Sequence, residues 1–368
     1  MNKLDSVVIA GGGLAGATAA FALRERGFTG RVVLVSEEQA PPYERPPLSK
    51  GYLRGESTLE QAQVRPLADY EAQDIELLRG RRAVTLDPAI RQLNLDDGTN
   101  LTYNALLIAT GAAPRHLGST RADLAGVQYL RNAEDADAIR TAADGAKAIA
   151  VIGGGWIGSE VAASLRQLGR SVTIVSDTPR PLERVLGPEV AEVYRALHAE
   201  HGVELVHGLV SAVDGSERVE GVRLADGRRI AADLVVVGIG AIPRIKLATR
   251  GGLETIEGGI AVDEYLRSSV PSIYAAGDVA AAWHPASGAT CGSSTGTTPS
   301  SRGRPPRPTS WAPTSPTRAR RTSTPISSTS AWSTAASRRN GARSWYAGIS
   351  PGASSMPSGW PMTASWRQ

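Results

Sequence analysis

Gly11-Gly12-Gly13-Leu14-Ala15-Gly16 and Gly153-Gly154-Gly155-Trp156-Ile157-Gly158 are the residues of this chain whose types and spacing could do chemistry. Both have the G-x-G-x-x-G spacing. Such a turn bends tightly, lets a pyrophosphate approach the backbone, and packs a helix closely on a strand. The helix that follows offers unpaired N–H groups and a positive dipole end to an anion. Val7-Val8-Ile9-Ala10 precedes the first turn and Ala148 to Ile152 the second, and both read as buried parallel strands. Helices are expected next, from Ala17 to Arg26 and from Ser159 to Leu168, ending at Gly27 and Gly169. A second strand closes each unit, from Arg31 to Val35 before Ser36-Glu37-Glu38 and from Ser171 to Val175 before Ser176-Asp177. Glu37 lies 26 residues after Gly11 and can accept hydrogen bonds from a ribose diol. In the second unit Ser176 stands directly after the strand and Asp177 one position later. An acid there favours NADH over NADPH, although Arg180 and Arg184 lie nearby and could meet a 2′-phosphate.

The positioning elements repeat as well. Leu93-Asn94-Leu95-Asp96-Asp97-Gly98 turns at Asp-Gly and leads to Leu106-Leu107-Ile108-Ala109-Thr110-Gly111. Val222-Arg223-Leu224-Ala225-Asp226-Gly227 turns the same way and leads to Leu234-Val235-Val236-Val237-Gly238-Ile239-Gly240. The chain therefore reads as α/β, with two doubly wound, Rossmann-like dinucleotide-binding units, each carrying a β-hairpin insertion. Two dinucleotide sites in one chain point to electron transfer between two dinucleotides.

Composition limits the alternatives. The chain has 368 residues, 40 Lys+Arg and 36 Asp+Glu. Ten of the basic residues follow Pro285 and no acid does, so residues 1–285 hold 30 basic against 36 acidic groups, a net of −6. The folded part is thus mildly acidic, which argues against nucleic acid as a partner. A single cysteine, Cys291, excludes a structural disulfide and a Cys-x-x-Cys pair. No apolar run approaches the roughly 20 residues that span a bilayer, and the N-terminus lacks a signal-peptide layout. A cytoplasmic protein without a membrane partner is expected. His116, His198, His201, His207 and His284 form no metal-ligand pattern, so no metal is expected, and Trp156 reads as a packing residue.

Pro42-Tyr43-Glu44-Arg45-Pro46-Pro47-Leu48-Ser49-Lys50, Ala109-Thr110-Gly111, Gly153 to Glu160 and Tyr274-Ala275-Ala276-Gly277-Asp278 occur in this order. By these motifs the chain resembles the FAD-dependent NAD(P)H:ferredoxin reductases that feed oxygenases and P450s. These belong to the pyridine nucleotide-disulfide oxidoreductase superfamily but lack its redox disulfide. The resemblance covers about residues 5–285. It implies an FAD domain at 1–115 and 245–285, interrupted by an NAD(P)H domain at 116–244. It also implies roles. Gly11, Gly13, Leu14, Ala15 and Gly16 would line the FAD pyrophosphate, and Glu37 would hold the adenosine ribose. Arg45 and Lys50 would sit by the pyrophosphate and the isoalloxazine, and Ala83 would meet adenine through its backbone. Thr110 and Gly111 belong to the same site. Arg131 would reach the flavin region, and Asp278 would bond the ribitol from a helix N-terminus. Gly153, Gly155, Ile157 and Gly158 would bind the nicotinamide dinucleotide, with Ser176 and Asp177 at its ribose. Glu160 would approach the nicotinamide, and Gly240 would let the cofactor near the backbone. Lys50 and Glu160 are the catalytic candidates. The implied activity passes electrons from NADH through FAD to a [2Fe-2S] ferredoxin or similar iron–sulfur protein. Other readings are a related reductase of rubredoxin, quinone or dye, an apoptosis-inducing-factor-like nucleotide-binding protein, and an inactive product. The oligomeric state is open.

Composition breaks at Ala286. Residues 286–368 contain 19 Ser, ten Pro and ten Arg, and no Leu, Val, Phe, Asp, Glu or Lys. Such a segment cannot offset its ordering entropy by apolar burial, so a disordered tail is expected. The family carries a flavin-covering segment and a C-terminal domain here. Joining each codon's third base to the next codon's first two lets Gly288 to Thr298 spell R-H-L-R-V-E-H-W-D-N-A, which resembles that flavin-covering motif. Arg321 to Ser333 permits Y-F-Y-T-D-Q-F-D-L-G-M-E in the same frame. A frameshift between about Trp283 and Gly288 is the expectation. Its cost would be weaker FAD binding and poor delivery of electrons to a ferredoxin.

Overall fold

The computed structural model describes residues 4–118, 123–284 and 289–291. The readings of a disordered tail and of a frameshift concern 286–368, nearly all of which lies outside the described residues. Ten strands build two parallel sheets. The first receives β1 (Ser6–Ala10), β2 (Arg31–Ser36), β3 (Ile75–Arg79) and β4 (Ala105–Ile108). The chain then leaves to form the second sheet from β5 (Val127–Tyr129), β6 (Ile149–Ile152), β7 (Val172–Ser176), β8 (Glu204–His207) and β9 (Leu234–Val237). It returns with β10 (Ile273–Ala275) to complete the first. The orders are β10-β4-β1-β2-β3 and β8-β7-β6-β9-β5. Val8 pairs with Val33 and Leu106, and Val151 with Ile174 and Val236. The two central strands are apolar over residues 7–10 and over Ile149–Ile152 because both of their faces are covered. Strand order reverses beside each of them, which opens a crevice at their carboxyl ends.

Helix α1 (Leu14–Glu25) follows β1, α2 (Ala133–Gly145) precedes β6, α3 (Trp156–Gln167) follows β6, and α4 (Glu183–Glu200) lies beyond β7. α1 and α3 begin three residues before the expected starts. The third glycine of each fingerprint lies inside the first turn, where close packing on the strand outweighs glycine's poor helix propensity. α4 is interrupted at Gly187, next to Pro188.

The expected hairpins belong to three-stranded antiparallel sheets. One consists of Ala83–Asp87, Gln92–Leu95 and Asn100–Thr102, the other of Val210–Gly215, Val219–Leu224 and Arg229–Ala231. Their Asp-Gly turns match, with Gly98 at φ 85° and Gly227 at φ 89°. Where the chain passes between the two parallel sheets, Ala112–Pro114 pairs antiparallel with Ala241–Pro243.

One core surrounds the first sheet and α1. The core around α2, α3 and the second sheet takes in Tyr43, Leu48, Tyr52, Leu53 and Ala62 from the first unit. The segment after Pro42 is therefore held by the helices of the second unit.

Candidate functional site

The two fingerprints repeat one geometry. Gly11 has φ 128°, and a Cβ there would lie 2.1 Å from the Ala109 carbonyl oxygen; Gly153 has φ 110°, and its Cβ would lie 2.4 Å from that of Gly238. A Cβ on Gly16 would fall 2.0 Å from the Gly11 oxygen, and one on Gly158 would fall 1.9 Å from the Gly153 oxygen. These four positions exclude a side chain because the protein itself fills the space. Gly13 and Gly155 differ. They are the N-caps of α1 and α3, neither helix has a side-chain cap or an acid in its first turn, and a Cβ on either glycine would meet nothing within 4 Å. Open space over unpaired N–H groups at a positive helix end fits a pyrophosphate at each turn. Trp156 and Ile157 sit beside this space on α3, 42% and 40% exposed. Trp156 meets the edge of Tyr194, ring centre to ring centre at 6.4 Å, and leaves part of its surface exposed.

The first site gathers residues from distant parts of the chain. Asp278 lies in the short turn Gly277–Val279 after β10. A Cβ on Gly277 would lie 3.0 Å from the Ala15 Cβ of α1. The expected helix N-terminus is only this 3-10 turn, and the Asp278 carboxylate caps no backbone; it pairs with Arg131 Nη2 at 3.1 Å. A Cβ on Gly111 would be 3.3 Å from that Arg131 nitrogen. Arg45 Nη1 donates to the Arg131 carbonyl at 2.8 Å and to the Tyr43 hydroxyl at 2.6 Å, and its other terminal nitrogen pairs with Glu38. Tyr43 also accepts from the Ala133 amide at the start of α2, at 2.9 Å. Burial, with Glu38 beside it, holds the Tyr43 phenol protonated far above its usual range, against the pull of Arg45. Gly111, Arg131, Asp278 and Arg45 are thus brought together beside α1. Glu37 stands at the end of β2, half exposed, and pairs with Arg244. Arg244 is fixed in turn by the Thr110–Gly111 loop: its carbonyl accepts from Thr110 Oγ1 at 3.0 Å and its N–H donates to Gly111 O at 2.9 Å. Ala83 is half-buried at the start of its antiparallel strand.

In the second site, Ser176 is buried, its hydroxyl 3.0 Å from that of Thr178. A Cβ on Gly154 would lie 2.8 Å from the Ser176 hydroxyl. Asp177 is the exposed acid at this strand end, paired with Arg184 at 2.7 Å. Arg180 is engaged by Glu183 and Glu192. Gly240, at φ 112°, accepts from the Arg115 amide at 2.9 Å.

The two sites meet at one ion pair. Lys50 Nζ, on the first unit, lies 2.6 Å from Glu160 Oε2 on α3. Ser49 Oγ donates to the same oxygen at 2.6 Å. Tyr52 adds a hydrogen bond to Asp137 of α2 at 3.0 Å, and Arg140 donates to the Tyr52 carbonyl at 3.1 Å. Lys50, Arg45, Arg131 and Asp278 are legible in the sequence by motif. Glu38, Tyr43, Ser49 and Arg244, which contact Arg45, Glu160 and Glu37, are not singled out by it. Tyr43 and Ser49 lie inside the Pro42–Lys50 motif, whereas nothing local marks Arg244. Among the described residues no cluster of three His, Cys, Asp or Glu could hold a metal, and no helix is long and apolar enough to cross a membrane.

Residues 5–302 match the family profile "Pyridine nucleotide-disulphide oxidoreductase". The chain is 40% identical over 281 residues to the "Probable ferredoxin reductase CtmF" of Castellaniella defragrans, covering 76% of this chain and 68% of that one. It is 40% identical over 279 residues to a "Rubredoxin-NAD(+) reductase" of Pseudomonas putida, covering 75% and 72%. Among solved structures, the covalent putidaredoxin reductase–putidaredoxin complex superposes with a TM-score of 0.75 at 38% identity, over 79% of this chain and 71% of that one. The chain spans about two thirds of the length of the curated relatives it matches.

Proposed function

Because the chain belongs to the pyridine nucleotide-disulphide oxidoreductase family, whose members use FAD and NAD(P)H, we propose that it moves electrons from NADH through FAD to a ferredoxin-type iron–sulfur protein of an oxygenase or P450 system. The ferredoxin and rubredoxin reductases among its relatives support this acceptor class. The observation that carries the reading is the Lys50–Glu160 pair, which sets the first unit's Pro42–Lys50 segment against the fingerprint helix of the second. Bound FAD supplies hydride acceptance and release of single electrons.

The chain's own residues do the rest. Gly13 and Gly155 leave room for the two pyrophosphates. The N-terminal N–H groups of α1 and α3 hold them. Glu37 is placed to take the adenosine ribose of FAD, with Arg45, Ala83, Thr110, Gly111, Arg131 and Asp278 along the rest of that molecule. Glu160 orients the nicotinamide end. Lys50 keeps a positive charge where negative charge develops on reduction, an electrostatic role that needs no proton transfer. Cys291 is the only cysteine, so dithiol exchange has no partner thiol within the chain. Asp177 supports NADH over NADPH, since a 2′-phosphate would face a carboxylate. The domain division 1–115, 116–244 and 245–285, a cytoplasmic location, and a frameshift before 288 complete the proposal.

The test is NADH-dependent reduction of cytochrome c with and without an added [2Fe-2S] ferredoxin. Strong dependence on the ferredoxin supports the reading. Equal turnover without it, or turnover only with rubredoxin, rejects the acceptor.

A further inference from the structure

The turn Pro46–Ser49 sets Ser49, only 4% exposed, against α3. Two residues of α3 hold it. Ser164 Oγ donates to the Ser49 carbonyl at 2.7 Å, and Ser49 Oγ donates to Glu160 Oε2 at 2.6 Å. Glu160 and Ser164 are four residues apart and share a helix face. Ser49 is therefore clipped between them, accepting from one and donating to the other. Lys50 Nζ reaches the same Oε2.

The two donors to that oxygen differ in kind. The Lys50 and Glu160 side chains are 34% and 29% exposed, so solvent screens their attraction, and the ammonium can follow the carboxylate through many rotamers. The Ser49 hydroxyl sits on a short side chain in a buried, doubly anchored turn. Its other acceptor is Pro46 O, at a longer 3.3 Å. Lys50 supplies charge, and Ser49 supplies direction. Glu160 Oε1 accepts no hydrogen bond among the described residues, so it is the oxygen left for a ligand.

We infer that Ser49 is a positioning residue: it pins Glu160 Oε2 so that Oε1 is presented to an amide donor, the carboxamide of nicotinamide. The inference rests on the assignment of Glu160 to the nicotinamide end. The experiment is calorimetric titration of the flavin-free full chain with NAD+ and with ADP-ribose, which lacks the nicotinamide. The variants are Ser49→Ala, Glu160→Ala and the double substitution, with melting temperature as the check on folding. Ser49→Ala is expected to weaken NAD+ about tenfold or more, the size of one lost hydrogen bond to a carboxylate, and to leave ADP-ribose within about twofold. In the Glu160→Ala background the same change should cost nothing more. Equal loss of both ligands marks Ser49 as merely structural and overturns the inference. So does unchanged NAD+ binding, or a full further loss in the double variant. If Glu160→Ala itself leaves NAD+ unaffected while ADP-ribose binds, the assignment of Glu160 is what fails, and the role of Ser49 falls with it.

Discussion

Gly13 and Gly16 stand three residues apart in one fingerprint, yet they are glycine for opposite reasons. At Gly16 the protein itself leaves no room. Gly16→Ala should destabilise the fold by roughly 2 kcal/mol or more, read as a lower urea midpoint. At Gly13 the backbone is extended and the space is open. Gly13→Ala should cost no more than about 1 kcal/mol, the difference between a good and a poor N-cap residue, and yet weaken FAD by about tenfold or more, read by flavin fluorescence. If Gly13→Ala binds FAD like the parent, the pyrophosphate does not lie there. Asp177 tests the other nucleotide. On the proposal that Asp177 accepts from the ribose diol and repels a 2′-phosphate, Asp177→Ala should narrow the kcat/KM advantage of NADH over NADPH about tenfold. No change in that ratio would remove Asp177 from the site.

At the scale of elements, the sequence marked the central strands and their turns well because apolar runs and Gly-x-Gly spacing are local signals. It placed the helix starts three residues too late: Gly16 and Gly158 lie inside the first turns, where the contact each makes with a preceding carbonyl is what matters. It could not show that Tyr43, Leu48, Tyr52 and Leu53 join the core of α2 and α3, since those partners lie about a hundred residues away. The Glu37–Arg244 pair was hidden for the same reason. α4 carries a pH signature. His198 is buried, and burial, aided by the neighbouring His201, pushes its imidazole below the usual value of 6.5. The unfolded chain therefore takes up this proton at a higher pH than the folded one. Stability from this group is complete above about pH 6.5 and is lost as pH falls through the depressed folded value. Urea unfolding at pH 7.5 and 5.5 should show that loss, and His198→Leu should shrink it. An equal loss in the variant would place the acid sensitivity elsewhere.

For the whole molecule, the segment from Tyr43 to Ala62 acts as a bracket that starts in one unit and packs on the other. Leu53 is fully buried there. Leu53→Ala should cost about 2–4 kcal/mol and slow flavin reduction, because Lys50 and Glu160 then lose their shared mount. Stability lost with no change in reduction rate would mean that the bracket only holds the fold. About a third of the relatives' length has no match in this chain. A chain rebuilt in the shifted frame after about residue 285 should bind FAD more tightly than the present one. Coding DNA unable to spell the two motifs in that frame would dispose of the frameshift.

The central claim is that two dinucleotide sites face one another across Lys50 and Glu160. It is tested most directly by the visible spectrum of the FAD-supplemented protein under anaerobic conditions, before and after NADH. The flavin spectrum should bleach with NADH and bleach much more slowly in Glu160→Ala. A protein that holds flavin which NADH leaves oxidised, or that takes up no FAD at all, would contradict it.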